Sequence, residues 1–396
     1  MKRSDKPRRR AAPKKSMWPL DPGVIFLNHG SFGCCPKPVL EFQRDLRDRL
    51  ERQPVQFLGR ELEGLLDAAR ASLAAFVAAQ PDDLVFVHNA TAGVNTVLRS
   101  FPFKPGDEIL ITTHVYGSCR NAASFVAEQH KAVMVEVAVP FPVKSSDDIL
   151  DAILARVTAR TRLAMIEHIT SPTALIFPIE RIVRALAERG VDTLVDGAHA
   201  PGMLPLDLDK LGAAYYTGNC HKWLCAPKGS AFLHVRRDRQ DTLHPLVISH
   251  GGGAAPRQGR SRFVWTFQWG GTLDPTAWLS VPEAIRCVGA MVPGGWPEVM
   301  RRNHDLACEG RKIMCTVFGV PEPCPATLIG SMATILLPDS SPEPDAIYTQ
   351  LRKHRIEIPV GNWGNPPKRF VRLSAQLYNT PKQYAELAKA IKECCS

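Results

Sequence analysis

The sequence predicts an α/β protein: a large part with a mostly parallel, doubly wound sheet, followed by a smaller α+β part at the C-terminal end. Three observations carry this. From Leu84 to Val235, short apolar runs alternate with amphipathic stretches. Several of those runs end in polar or glycine-containing turns, as at Val87-His88-Asn89 and Val195-Asp196-Gly197. After Gly251-Gly252-Gly253 the alternation gives way to two long helical stretches and then a mixture. Strand–helix alternation implies βαβ units, whose parallel strands are covered on both faces.

The elements follow in order. Glu41–Arg52 and Arg60–Ala79 read as two amphipathic helices that pack on the smaller part or on a partner subunit. Leu84–Val87 is a short buried strand, and Thr91–Leu98 the helix after it. Glu108–Ile111 is the next apolar run, followed by a helix near Asn121–Gln129. Alternating valines make Val133–Val139 a strand, Asp147–Val157 a helix and Leu163–Ile166 a buried strand. Pro178–Glu188 reads as a helix with proline in its first turn. Strands at Val191–Val195, Ala213–Tyr216 and Ala231–Val235 complete the series. Helices are expected at Pro275–Val288, Pro297–Thr316, Pro344–Lys353 and Pro381–Glu393, and strands at Met332–Leu337 and Phe370–Ser374. The expected division is a tail over 1–17, an N-terminal segment over 18–80, a large domain over 81–290 and a small one over 291–396.

Composition narrows the function classes. A chain of 396 residues, 45% hydrophobic and 22% charged, is ordinary globular protein. No apolar run approaches the ~20 residues that span a bilayer, so no membrane association is expected. The net charge of +10 is local: eight Lys and Arg against one Asp give residues 1–17 a charge of +7, leaving +3 for the rest. Such a run is a solvated tail, and nucleic acid is expected as a partner only through it. Trp18-Pro19-Leu20-Asp21-Pro22 stands where a secretory signal would need an apolar core. Eleven cysteines, without a Cys-x-x-Cys pair, read as free thiols in a reducing, cytoplasmic compartment. Cys220-His221 with Cys225 does not match zinc-ligand spacing, so no metal is expected.

Two segments carry chemistry. Thr193-Leu194-Val195-Asp196-Gly197 is a buried strand ending in a carboxylate. In an open parallel sheet, ligands sit beyond the carboxyl ends of the strands. Lys222, twenty-six residues past Asp196, lies in Tyr215-Tyr216-Thr217-Gly218-Asn219-Cys220-His221-Lys222-Trp223-Leu224, where again a short strand feeds a polar turn with one lysine. Taken alone, Asp196 suits magnesium or a ribose, and Lys222 is an ordinary surface lysine. Together, on neighbouring strand ends, they suit pyridoxal 5'-phosphate (PLP). A lysine carries that cofactor covalently, and an acid keeps its pyridine nitrogen protonated so the ring accepts electrons. His88-Asn89-Ala90-Thr91-Ala92-Gly93 then offers a strand-to-helix turn for the phosphate, with Thr91 otherwise a helix N-cap.

On these segments the chain resembles the class V, fold-type I PLP enzymes, in particular their isopenicillin N epimerase-like branch. The resemblance runs from Leu27-Asn28-His29-Gly30-Ser31-Phe32-Gly33 to Arg372-Leu373-Ser374-Ala375. It implies Lys222 as the cofactor lysine and Asp196 as the acid on the pyridine nitrogen. It implies Thr91, Ala92, Asn219 and His221 at the phosphate and Tyr116 stacked on the ring. Ser171 and His199 would lie near the ring hydroxyl. Thr272 would reach the phosphate of the second subunit of a homodimer with shared active sites. Asn28 and Arg372 would bind substrate, with Arg372 on its carboxylate; the competing reading of Arg372 is a surface ion pair. Ala174 stands where glycine is common and Asn219 where serine is. Pro359–Lys368 lacks the cysteine of the family's desulfurases.

The cofactor leaves the reaction open. The expected activity is epimerisation or racemisation at Cα of an amino acid or an amino-acid-containing substrate. The alternatives are a C–S β-lyase of the cysteine sulfoxide lyase kind, an aminotransferase, or a cofactor- or polyanion-binding protein without turnover. Epimerisation needs a second acid opposite Lys222, for which Tyr116 is the candidate and His114 its neighbour in sequence.

Overall fold

The computed structural model describes residues 15–253, 255–256 and 259–394. Residues 1–14 of the basic tail and Cys395 lie outside them. The strands are β1 Ile25–Phe26, β2 Leu84–Val87, β3 Glu108–Thr112, β4 Val133–Val137, β5 Thr161–Glu167, β6 Asp192–Asp196, β7 Tyr215–Asn219 and β8 Ala231–Val235. Four more follow: β9 Met332–Leu336, β10 Ile356–Glu357, β11 Val360–Trp363 and β12 Lys368–Ser374.

Seven strands form the main sheet in the order β2-β8-β7-β6-β5-β3-β4. Pairings from β4 through β3, β5 and β6 to β7 are parallel. Only β8 runs against its neighbours, β7 and β2. The expected mostly parallel sheet is therefore present, with one reversed strand that the apolar run of β8 does not reveal. Side-chain alternation explains the double winding. On β5, Leu163 and Met165 join one core, while Ala164 and Ile166 join the other. The helices Ala90–Ser100 and Gly117–His130 cover the first face with Val94, Val97, Ala123 and Val126. Helix Ile179–Ala187 covers the second with Ile179, Ile182, Val183 and Leu186, an i, i+3, i+4, i+7 stripe. Burying each such aliphatic side chain is worth about 1.5–3 kcal/mol.

A smaller antiparallel sheet, β11-β12-β9, carries the C-terminal part. β11 was not expected from the sequence, since Val360-Gly361-Asn362-Trp363 is neither apolar nor alternating. β1 pairs in parallel with β10, so the N-terminal segment joins the C-terminal part. The two N-terminal helices are Lys37–Arg52 and Leu62–Phe76, and within the chain they pack on helices Thr276–Leu279 and Val281–Gly289. Those two replace the single expected helix over Pro275–Val288, which is interrupted at Ser280 ahead of Pro282. Among the described residues, no helix is long and apolar enough to cross a membrane. The ten described cysteines are all free.

Candidate functional site

The carboxyl ends of β2, β5, β6 and β7 meet the segment 28–33, a single helical turn His29–Phe32 with its flanking residues, and strand β12, and most of the residues singled out above gather there. The segment is seated on the backbone of Lys222. Gly33 has φ of 70°, and a Cβ on it would stand 2.0 Å from the carbonyl oxygen of His221. Glycine is required for both reasons. His29 is fully buried, with Nε2 3.0 Å from the Lys222 carbonyl and Nδ1 2.9 Å from the Tyr378 hydroxyl. Burial pushes its pKa down to about 3, so the ring is neutral: Nε2–H donates to the carbonyl and Nδ1 accepts from the tyrosine. His29 is not legible as functional in Leu27–Gly33, because a lone histidine next to glycine carries no spacing signal.

Lys222 Nζ is 3.1 Å from His199 Nε2, and the Trp223 indole nitrogen is 3.4 Å from His199 Nδ1. Indole N–H can only donate, so Nδ1 is the acceptor and the neutral ring carries its proton on Nε2. Nε2–H then donates to Lys222, which requires an unprotonated amine. Burial, reinforced by Arg372, lowers the Lys222 pKa to about 7, and burial drives that of His199 well below its ordinary value.

Asp196 ends β6 and is buried. Its Oδ1 accepts from Ala198 N at 3.0 Å and its Oδ2 from the Cys119 thiol at 3.4 Å. Burial raises its pKa, opposed by those bonds and by Lys222. Directly beside it in the β5–β6 register stands Glu167, also buried. Thr112 Oγ1 donates to its Oε2 at 3.0 Å, and Oε1 has no partner. Burial and the Asp196 charge push the Glu167 pKa up to about 8, so this carboxyl is protonated at neutral pH. Neither Cys119 nor Glu167 was singled out in the sequence: one is a helix residue, the other the last residue of an apolar run.

At the end of β2, the helix Ala90–Ser100 is capped by Asn89, not by Thr91, with Asn89 Oδ1 accepting from Ala92 N at 2.8 Å. Asn219 Oδ1 accepts from Ala90 N at 2.8 Å. Asn219 and Ala92 are thus held within this turn, while the Thr91 hydroxyl has no hydrogen-bond partner among the described residues and lies at the positive end of the helix. Gly93 lets that helix approach β7, since a Cβ there would stand 2.2 Å from Thr217 Oγ1. His221 Nδ1 faces the Ser230 carbonyl at 3.0 Å.

Arg372, on β12, is 5% exposed. Its Nη1 donates to the Ser171 carbonyl and hydroxyl at 2.6 and 3.1 Å, and its Nη2 to Ser31 Oγ at 3.1 Å. Ser31 in turn donates to Asn28 Oδ1 at 2.5 Å. The buried Nε–H has no partner. No carboxylate pairs with Arg372 among the described residues, which sets aside the surface ion pair. Burial lowers its pKa to about 10, and the Tyr116 phenol lies within electrostatic reach. Ser171, expected at the ring hydroxyl, holds Arg372. Ala174 has φ of 58°, the left-handed region that explains why glycine is common there.

Tyr116 is 46% exposed and precedes the helix Gly117–His130. His114 is unavailable as a second acid: it is buried, its nitrogens face Thr173 Oγ1 at 2.6 Å and the Val139 carbonyl at 3.1 Å, and burial lowers its pKa to about 4. Thr272 is exposed between Gly271 and Pro275, with no side-chain hydrogen bond among the described residues.

A half-buried neutral amine, a buried carboxyl, a helix N-terminus with a free hydroxyl and an unpaired buried guanidinium are the donor set that PLP and an amino acid need. The class-V aminotransferase model matches residues 39–383. The chain belongs to the class-V aminotransferase family. It is similar to the isopenicillin N epimerase of Amycolatopsis lactamdurans, at 35% identity over 94% of this chain and 96% of that one. It is similar also to the "Probable L-cysteine desulfhydrase, chloroplastic" of Arabidopsis thaliana, at 34% identity over 94% of this chain and 83% of the relative. The fold matches that of an apo cysteine desulfurase from Thermococcus onnurineus NA1, with a TM-score of 0.80 at 19% identity, covering 97% of this chain and 99% of that one. This class-V chain is an enzyme of the fold-type I architecture, and PLP is its cofactor.

Proposed function

We propose that this enzyme takes the Cα proton from an α-amino acid bound through its carboxylate to Arg372, and that a substituent on Cβ then leaves. PLP withdraws electrons from Cα and so makes that proton acidic. Lys222 accepts the proton on Nζ. His199 holds Nζ unprotonated and oriented through its Nε2–H. Asp196, with Cys119 and the Ala198 amide on its oxygens, is assigned to the pyridine nitrogen. Thr91 and the first turn of its helix are assigned to the phosphate. Electrons balance within the substrate: the Cα–H pair becomes a Cα=Cβ bond, and the leaving group departs with the Cβ bonding pair.

Elimination is preferred to epimerisation on one observation, the His114 ring engaged on both nitrogens. Elimination needs one base, on the Lys222 side. Epimerisation needs a second acid opposite, and Tyr116 alone remains for it. That Tyr116 sits beside Arg372 keeps epimerisation as the second reading. Incubation of the holoenzyme with cysteine, cysteine sulfoxides and other amino acids in deuterated water separates them. Elimination gives a 2-oxo acid and free leaving group; epimerisation gives deuterated substrate of inverted configuration without either.

The active enzyme is assigned as a homodimer. The short helix Pro54–Gln56 and the segment 246–248 expose Val55, Leu246, Val247 and Ile248. A groove between them is lined by Leu58, Leu62, Trp265 and Trp269. A second copy seated there would bring its exposed Thr272 towards the phosphate end of the neighbouring site. Sedimentation of a monomer with full cofactor occupancy would contradict this.

A further inference from the structure

At the opposite end of the strands from the PLP site, where β2 begins, three side chains converge that the PLP chemistry does not use. His234 lies on β8 and pairs in register with Leu84. Asp83 ends the turn that leads into β2, and Asp209 lies on the short helix Leu208–Leu211. One ligand atom from each, an imidazole nitrogen and two carboxylate oxygens, lies within 4.8 Å of the others. His234 is 4% exposed, and neither of its ring nitrogens has a hydrogen-bond partner. Its Nε2 points towards Asp209 Oδ1 at 3.8 Å, beyond hydrogen-bond distance. A buried imidazole with both nitrogens unsatisfied is costly unless something polar stands between it and the carboxylates.

We propose that Asp83, Asp209 and His234 bind a divalent cation of the zinc class. Zinc–ligand bonds of about 2.0–2.2 Å require the three ligand atoms to draw together by roughly 1 Å, and the 42%-exposed side chain of Asp209 is free to make most of that movement. One imidazole with two carboxylates and no thiolate suits zinc or manganese better than copper(I), while magnesium and calcium favour all-oxygen shells. The carboxylates keep capacity for the ion. Asp83 accepts from Arg237 Nε at 3.1 and 3.3 Å and from Gln240 Nε2 at 2.9 Å. Arg237 is 70% exposed and can swing aside. Asp209 accepts from the Gln80 amide at 3.3 Å and its side chain at 3.0 Å, bonds that orient the carboxylate rather than neutralise it. The ion joins the edge strand β2 and its neighbour β8 to the helix that precedes β7, with water completing its shell.

The test uses the full-length holoenzyme, stripped of metal by a chelator and titrated calorimetrically with zinc chloride. The wild type is expected to bind one equivalent that His234→Gln abolishes and Asp209→Asn weakens at least roughly tenfold. The visible PLP band is unchanged in both, which reports that they fold. Zinc raises the melting midpoint of the wild type and not of the variants. Cobalt(II) at the same site gives a weak visible spectrum without the strong near-ultraviolet thiolate band. Zinc held by cysteines or by the cofactor phosphate survives in both variants, and identical titrations of wild type and variants would overturn the proposal. So would a wild type that binds no zinc at micromolar concentration.

Discussion

Trp223 fixes the tautomer of His199: its indole N–H approaches His199 Nδ1 at 3.4 Å, leaving Nε2–H to face Lys222 Nζ at 3.1 Å. The side chain next to the lysine in sequence thereby orients the proton that His199 presents to the lysine, whose pKa burial and Arg372 lower.

A pH dependence follows. A lysine with pKa about 7 is half deprotonated at pH 7 and mostly a free amine from about pH 8, whereas an ordinary lysine is half deprotonated only near pH 10. Stripped enzyme mixed with PLP is expected to regain its visible absorbance faster as pH rises to about 7–8, and at a constant rate above. His199→Phe, which removes the Nε2–H donor, should shift that plateau upward. A wild-type plateau reached only near pH 10 would contradict the assignment.

Arg372 and Asp196 should fail differently. Arg372→Ala keeps the cofactor, since its unpaired Nε–H and remaining Nη2 donor are assigned to the substrate carboxylate. Losing a charge-assisted pair lowers kcat/KM by about 10- to 1000-fold, at ~1.4 kcal/mol per tenfold. Asp196→Asn retains an acceptor for the Ala198 amide but loses the charge. Its Cα proton exchange should collapse even at saturating substrate. Steady-state kinetics and deuterium exchange on the two variants check both outcomes.

Glu167 makes a stability prediction. Its folded pKa is about 8, raised from 4.5, so the folded state holds this proton more tightly than the unfolded one. Stability therefore falls as pH rises from about 4.5 through 8. Glu167→Gln removes that slope and should be more stable than wild type at pH 9, by on the order of a few kcal/mol, while the two converge near pH 5. Denaturant melts at the two pH values measure it.

Much of this was legible in the sequence, for definable reasons. β2 and β8 appear at their expected bounds because a fully buried strand is a short apolar run. Asp196 was legible because it ends such a run, and Lys222 because it lies in the polar turn that follows one. The reversal of β8 was not, since direction leaves no mark on composition. Glu167 was hidden because a terminal acid on an apolar strand looks like a solvent-facing end, and only its register partner Asp196 shows it to be enclosed. The alternative reading of Thr91 as the cap fails: Asn89 and Thr91 are both good capping residues, and backbone geometry chooses Asn89. The role of Ser171 turned on Arg372, 201 residues away, which local spacing cannot reveal.

The central assignment is that Lys222 carries the cofactor. Borohydride reduction of the holoenzyme, followed by digestion and mass spectrometry, tests it most directly. The expected result is a single pyridoxyl-modified peptide containing Lys222, absent from Lys222→Ala. Modification at another lysine, or an unmodified Lys222 peptide from fully reduced enzyme, would contradict it.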